Sequence, residues 1–246
     1  LVADAAAEML PPAVHVLEAG IGTGRVARPL LARGVSLTGA DLSRKMMNRL
    51  LEALPPGVAR PALVEADATE LPFASGVFDV VLSVHVYHLI ADWPKALRET
   101  RRVLKPGGAL LTGYDWRPPD SIGEQIRQKW QAIIAARGVA DRPGAHDFSD
   151  VDEELRAMGA TMEERSVGQW TRTHTLAHHL ETIEHRTWSS SWGVPDDFFP
   201  ECLAELRAWA VETYGSLEHE FTVPHKFVWQ RYWWTKDDGR MTDRER

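Results

Sequence analysis

V-H-V-L-E-A-G-I-G-T-G-R, residues 14–25, is the stretch whose reading decides the fold. A short apolar run, Val14, Val16 and Leu17, stops at Glu18, and Gly20, Gly22 and Gly24 follow at alternate positions. Apolar residues resume at helical spacing through Val26, Ala27, Leu30 and Leu31. This order predicts a strand, a tight turn and a helix start. Glycine suits a turn in which backbone must approach a ligand closely, because it lacks a Cβ and adopts positive φ without strain.

The flanking sequence repeats the pattern. Residues 1–10 are good helix formers stopped by Pro11-Pro12, the first strand is expected at about 14–19, and its helix runs to about Arg33, closed by Gly34. Val35, Leu37 and Ala40 alternate into a second strand ending at Asp41. Ser43 can cap a helix whose apolar face is Met46, Met47, Leu50, Leu51 and Leu54. A third strand, 62–66, ends at Asp67, and 77–84 is an apolar run broken only by Asp79 and Ser83, as expected of a strand buried on both faces. Asp92 caps a further helix with Ala96, Leu97, Thr100, Val103 and Leu104 inward, Lys105-Pro106-Gly107-Gly108 stops it, and a fifth strand is expected from Ala109.

Alternation of strand and helix argues a doubly wound, mostly parallel sheet with helices on both faces. Such sheets bind ligands beyond the carboxyl ends of their strands. Those ends carry Glu18, Asp41, Asp67, residues 83–85, and Tyr114-Asp115, so the first three consecutive ends each present a carboxylate to one crevice. A dinucleotide would want G-x-G-x-x-G, but Arg25 stands where its third glycine belongs, and Glu18 would face the pyrophosphate. A cofactor with a positive centre and an amino group would welcome that acid. Asp41 lies 21 residues beyond Gly20 (41 − 20), the spacing of an acid that accepts from two ribose hydroxyls. Asp67 can accept from the exocyclic amine of adenine. Adenosine without phosphates, bearing a cationic tail, describes S-adenosylmethionine.

E-A-G-I-G-T-G (18–24), G-A-D-L-S (39–43), E-A-D-A-T-E-L-P-F (65–73), F-D-V-V-L-S (78–83) and R-V-L-K-P-G-G (102–108) resemble successive motifs of class I S-adenosylmethionine-dependent methyltransferases. The resemblance is closest to the small-molecule group that includes the ubiquinone and menaquinone methyltransferases. It implies an α/β, Rossmann-like, seven-stranded sheet and a cofactor-binding core over residues 1–115. It also implies roles. Glu18 and the backbone of Ala19, Gly20 and Gly22 would hold the methionine end, with Gly24 completing the loop. Asp41 would take the ribose, Leu42 and Met46 the adenine face, and Asp67 and Ala68 the adenine edge. Ser83 would line the floor beside the sulfonium, with His85 at the transferring end. His85 and His88 are the candidate bases, with Tyr87 and Asp115 nearby; hydrogen bonding or packing competes with a catalytic role for both.

The second part, 116–234, is expected to complete the same domain. It should hold an amphipathic helix at 121–138, another begun by Ser149 or Asp150, a strand at 161–172 and a last strand at 225–234. An insertion at about 175–216 would add two helices as a substrate lid. Trp188, Trp192, Phe198, Phe199 and Trp209 fit either core packing or a flat apolar acceptor pocket. His174, His178, His179 and His185, with Glu181, invite a metal reading, but a histidine pair needs another well-placed ligand, so no metal is expected. The polar tail, 235–246, is expected to fray.

The 246 residues carry a net charge of −7, 44% hydrophobic residues and a single cysteine. No overall basic footprint for nucleic acid appears, no apolar run reaches the roughly 18 residues of a membrane span, and a cytoplasmic enzyme is expected. The fourth strand end reads S-V-H-V rather than the N/D-P-P-Y/F motif of nucleobase and glutamine methylation, and Cys202, the one candidate for the nucleophile that cytosine C5 methylation needs, is expected in a lid helix. The expected function is methyl transfer to an O, N or C atom of a small metabolite. RNA methylation and a non-catalytic cofactor-binding protein are the alternatives, and a dinucleotide oxidoreductase stands behind them. The sequence leaves oligomeric state open.

Overall fold

The computed structural model describes residues 2–139 and 143–235. The polar tail beyond Thr235 therefore lies outside the described residues. Internal contacts divide the chain into two compact units: unit 1 holds residues 2–114, 144–167 and 227–235, and unit 2 holds 115–139, 143 and 168–226.

Unit 1 begins with helix α1 (Val2–Met9) and continues through β1 (His15–Ala19), α2 (Ala27–Leu31), β2 (Ser36–Asp41), α3 (Arg44–Glu52), β3 (Ala62–Glu65), β4 (Phe78–Val84) and α4 (Trp93–Val103). Strand β5 (Leu104–Trp116) carries the chain into unit 2, where α5 (Ile122–Ala135) lies. Helix α6 (Phe148–Ala157) returns to unit 1, and β6 (Thr161–Thr175) runs into unit 2. There α7 (Leu176–Glu184) and α8 (Phe199–Tyr214) precede β7 (Glu220–Trp233). The seven strands form one sheet in the order β3-β2-β1-β4-β5-β7-β6, and the pairs β3·β2, β2·β1, β1·β4 and β4·β5 are all parallel. The expected mostly parallel, doubly wound sheet is thus present. No helix among the described residues is long and apolar enough to cross a membrane.

The core of unit 1 follows from strand alternation. Leu17, Val81 and Leu110 point to one face and pack with Leu97, Val103, Leu155 and Tyr232, so α4 and α6 cover that side. On the opposite face Phe227 and Trp229 crowd Gly113, where a Cβ would sit 2.6 Å from Phe227. The Trp229 indole donates to the Val2 carbonyl at 3.0 Å, tying α1 to the same face. Unit 2 has its own core, in which Ile126, Trp130 and Ile133 of α5 meet Leu180 of α7, Leu206 of α8 and Phe221 of β7.

Several element boundaries differ from the sequence reading: β6 runs to Thr175 rather than 172, β7 begins at Glu220 rather than 225, and α5 ends at Ala135 rather than 138. Helix α2 stops at Leu31 rather than near Arg33, because the Arg33 and Gly34 amides bond back to Leu30 and Leu31 in a tight turn with Gly34 at φ +80°. Strand β5 begins at Leu104, not Ala109. Leu104 already pairs with Phe78, residues 105–108 bulge, and pairing resumes at Val80↔Ala109. Lys105 seals the bulge by donating to Asp79 at 2.8 Å. Helix α6 is capped by Asp147, whose carboxylate accepts from Ser149 and Asp150, rather than by either of those residues.

Candidate cofactor site

The site is built in unit 1 from the turn after β1. The Gly20 and Ile21 amides both donate to the Ala40 carbonyl of β2, at 2.8 and 3.1 Å, which fixes the turn over the sheet edge. Gly20 (φ +74°) and Gly22 (φ +54°) are left-handed, a region costly for residues with a Cβ. A Cβ on Gly20 would also run into the Val86 side chain, so the residue after His85 packs directly on the turn. At Gly22 a Cβ would reach only the Met46 methyl, at 3.6 Å, which leaves an open approach to backbone there.

Three carboxylates stand at or just past the ends of the adjacent strands β1, β2 and β3, each in a different state. Glu18 is 3% exposed, its Oε2 has no hydrogen-bond partner, and burial pushes its pKa up to about 8; Arg25 opposes the rise and Asp41 adds to it. An orphaned buried carboxyl beside a glycine turn is what a positively charged ligand group would satisfy. Asp41 is half-buried and clamps two amides, Oδ2 accepting from Gly22 and Oδ1 from Ser43, both at 2.7 Å. Each carboxylate oxygen has two acceptor positions, so Asp41 can brace the turn and still accept from ligand hydroxyls. Asp67 is exposed, two residues past β3, with Oδ1 accepting from Thr69 at 2.8 Å in an Asx turn and the rest of the carboxylate outward.

Leu42 is 72% exposed and Met46 is 37% exposed, two large apolar side chains beside Asp41. Ser43, between them, caps the helix that carries Met46 by accepting from the Met46 amide at 3.3 Å. Exposed apolar side chains next to a carboxylate and a glycine turn suit the face of a flat ring. Ala68 is half-buried and packs on the unit 1 core.

Beyond β4, Ser83 is buried in register with Thr112 of β5, on the face that carries Val81. Glu18, in register with Leu82, lies on the opposite face. Burial raises the Tyr87 phenol, opposed by the Thr100 and Ser83 hydroxyls. His85 adopts φ +58°, uncommon for a residue with a side chain. Its ring sits edge-on to Phe148 at 6.4 Å and to His88 at 6.5 Å, and Phe148 stacks on Tyr114 at 4.4 Å. The Gly144 and Ala145 amides donate to the His88 and Tyr87 carbonyls at 3.2 Å, which holds the start of α6 against this loop. Sequence reasoning missed Phe148 and the Gly144-Ala145 latch, since neither belongs to a local motif. Burial raises the Tyr114 phenol, helped by Glu164 and Asp152.

In unit 2, His174 and His178 stack 5.5 Å apart, and His178 faces Glu181 at 3.6 Å. No group of three or more histidine, cysteine, aspartate or glutamate side chains among the described residues is arranged to hold a metal ion. Of the aromatics expected in this part, Phe199 is buried, Trp188, Phe198 and Trp209 pack on the unit 2 core, and Trp192 is 58% exposed.

Residues 17–112 match the family model described as a methyltransferase domain. The matched segment holds the glycine turn and the strand-end acids, and with them it is similar to class I S-adenosylmethionine-dependent methyltransferases. Over 181 residues the chain is 33% identical to a 2-methyl-6-phytyl-1,4-hydroquinone methyltransferase of Synechocystis sp., covering 72% of this chain and 55% of that protein. It is 36% identical over 139 residues to a demethylmenaquinone methyltransferase of Thermus thermophilus, covering 55% of this chain and 62% of that protein. The chain therefore spans a little over half the length of these relatives. Among solved structures, the YcgJ protein of Bacillus subtilis shares the fold with a TM-score of 0.63 at 17% identity, covering 95% and 97% of the two chains.

Proposed function

We propose that this protein transfers a methyl group from S-adenosylmethionine to a small organic acceptor. The observation that carries the reading is the buried, unpartnered Glu18 carboxyl beside a glycine turn clamped by Asp41. The residues fit the cofactor: Glu18 would hold the methionine ammonium, Asp41 the ribose hydroxyls, Leu42 and Met46 the adenine face, and Asp67 with Ala68 its edge. When bound, S-adenosylmethionine supplies a methyl carbon already activated by its sulfonium, so the protein's task is alignment and exclusion of water. Gly20 and Gly22 let the backbone close on the cofactor. Val86 holds His85 in place by packing on Gly20, and His85, Phe148 and Tyr114 form a ring-lined wall past β4 and β5.

That wall supports a flat, partly apolar acceptor, and the hydroquinone and menaquinone methyltransferases among the relatives support the same class. His85 is proposed to orient the acceptor, with a base role only for an acceptor that must lose a proton. The net charge of −7 supports a metabolite over a nucleic acid. The single cysteine, Cys202, buried in α8, supports a reducing compartment, and the cytoplasm is the proposed location. The test is transfer of labelled methyl groups to a panel of hydroquinones, catechols and small amines. Turnover on a hydroquinone or catechol that falls at least about ten-fold in His85→Ala supports the reading. Tight cofactor binding with no transfer to any acceptor would favour a cofactor-binding protein of the same fold.

A further inference from the structure

In unit 2, one face of the β6–β7 ribbon gathers cationic and aromatic side chains that no part of the cofactor site uses. Trp170 stacks on His225 with ring centroids 5.9 Å apart and 7° from parallel, and His174 tilts against Phe221 at 6.2 Å. Thr173 and Thr222 join hydroxyls at 2.8 Å, so residues advance on β6 as they retreat on β7 and the two run antiparallel. Alternation then puts Trp170, Arg172 and His174 on one face with Phe221, Val223 and His225. His179 of α7 lies over that face, its ring 6.2 Å from His174 and 5.7 Å from Phe221.

Two features mark this face as built to receive something. Arg117 and Arg172 are exposed, and neither makes a salt bridge with a described residue. The Trp170 Nε1–H, which can only donate, is out of solvent with no acceptor. Burial lowers the pKa of His179 to about 4, reinforced by His174, Arg117 and His178, with the Gly123 backbone opposing. Burial lowers His225 as well, with Arg117, Arg172 and His174 adding and Asp115 opposing, and it lowers His174, with His178 and Arg172 adding. His174, His179 and His225 are therefore neutral near pH 7, with Arg117 close enough to His179 and His225, and Arg172 close enough to His174 and His225, to disfavour their charged forms. Neutral imidazoles, a free indole N–H and two guanidinium forks are the donor set that a carboxylate or phosphate accepts from.

We propose that this face of unit 2 binds a small organic anion, a carboxylate or phosphate on a flat ring, with Arg117 and Arg172 on the anionic group and the Trp170–His225 stack against the ring. The site stands apart from the cofactor reading, since all its residues lie in unit 2 and no methyl donor enters the test.

The test titrates the full chain with benzoate, phenyl phosphate and the neutral benzyl alcohol while histidine ring resonances are followed by NMR. A saturable shift of the His174, His179 and His225 rings with either anion, and a rise in their pKa on saturation, is expected. Response to benzoate alone identifies a carboxylate site, and response to phenyl phosphate alone a phosphate site. The double variant Arg117→Gln, Arg172→Gln should weaken the anion by at least about ten-fold. Arg60→Gln, which removes one charge at an exposed position of unit 1, should change it less than about two-fold. No saturable response to either anion, an equal response to benzyl alcohol, or full affinity in the double variant would overturn the proposal. The comparison of anion with alcohol needs only the unmodified protein, so it decides even if the double variant fails to fold.

Discussion

The Glu18 carboxyl makes cofactor binding a proton-coupled event. Its pKa in the ligand-free protein is about 8, so it is mostly protonated at neutral pH. A cationic ligand group needs the ionised form. By simple titration the ionised fraction is about 1% at pH 6.0 and about a quarter at pH 7.5. If only that form binds, affinity for S-adenosylhomocysteine rises about twenty-fold, or about 1.8 kcal/mol, across that window. The window stops at pH 7.5 because an α-amino group itself titrates near 8. The same coupling releases close to one proton per ligand at pH 6.5. Calorimetry in buffers of different ionisation enthalpy reads both quantities at once. Glu18→Gln, which cannot ionise, should bind more weakly than the parent across the whole window and show neither the rise nor the proton release. An affinity that stays flat from pH 6.0 to 7.5, with no dependence on buffer, would refute the reasoning.

The same carboxyl affects stability. Its folded pKa lies above the unfolded one, so the native state binds more protons between pH 4.5 and about 8, and stability falls as pH rises through that window. Ligand-free Glu18→Gln should therefore be more stable than the parent at pH 8, by roughly 1–3 kcal/mol, with the difference shrinking toward pH 5 in urea melts. Gly20→Ala combines a left-handed backbone with a Cβ driven into Val86, so it should lose about 2 kcal/mol or more of stability, read by the same melts, and bind no cofactor. Leu42→Ala should do the reverse: at 72% exposure its stability should change by less than about 0.5 kcal/mol, while cofactor affinity drops about five- to ten-fold in the calorimeter.

Much of unit 1 was legible because its signals are local. The glycine turn, the apolar run of β4 and the Ser43 and Asp92 caps each announce themselves within a few residues, and the structure keeps both caps. Bonds between distant residues were not legible. Strand β5 could begin at Leu104 because Lys105 reaches Asp79, a pairing 26 residues apart that no local pattern reveals. Asp41 was expected to face a ribose, yet it also braces the Gly22 amide, which follows from the turn folding back over β2. Phe148 reached Tyr114 only because Gly144 and Ala145 bond to the loop after β4, where a Cβ on Gly144 would collide with the Tyr87 carbonyl. The helical spacing of the unit 2 histidines invites a metal reading, which fails for want of a further ligand. Strand pairing instead sets His225 on Trp170 and His174 on Phe221, with Arg172 on the same strand as Trp170 and Arg117 arriving from the end of β5.

The central claim is that the crevice over β1 and β2 takes adenosine with a cationic tail and no phosphates. Calorimetric titration of S-adenosylmethionine, S-adenosylhomocysteine and NAD into the purified chain, with Asp41→Ala beside it, tests this most directly. Micromolar binding of the first two ligands, loss of both in Asp41→Ala, and no heat from NAD are expected. Binding of NAD, or of none of the three, would contradict it.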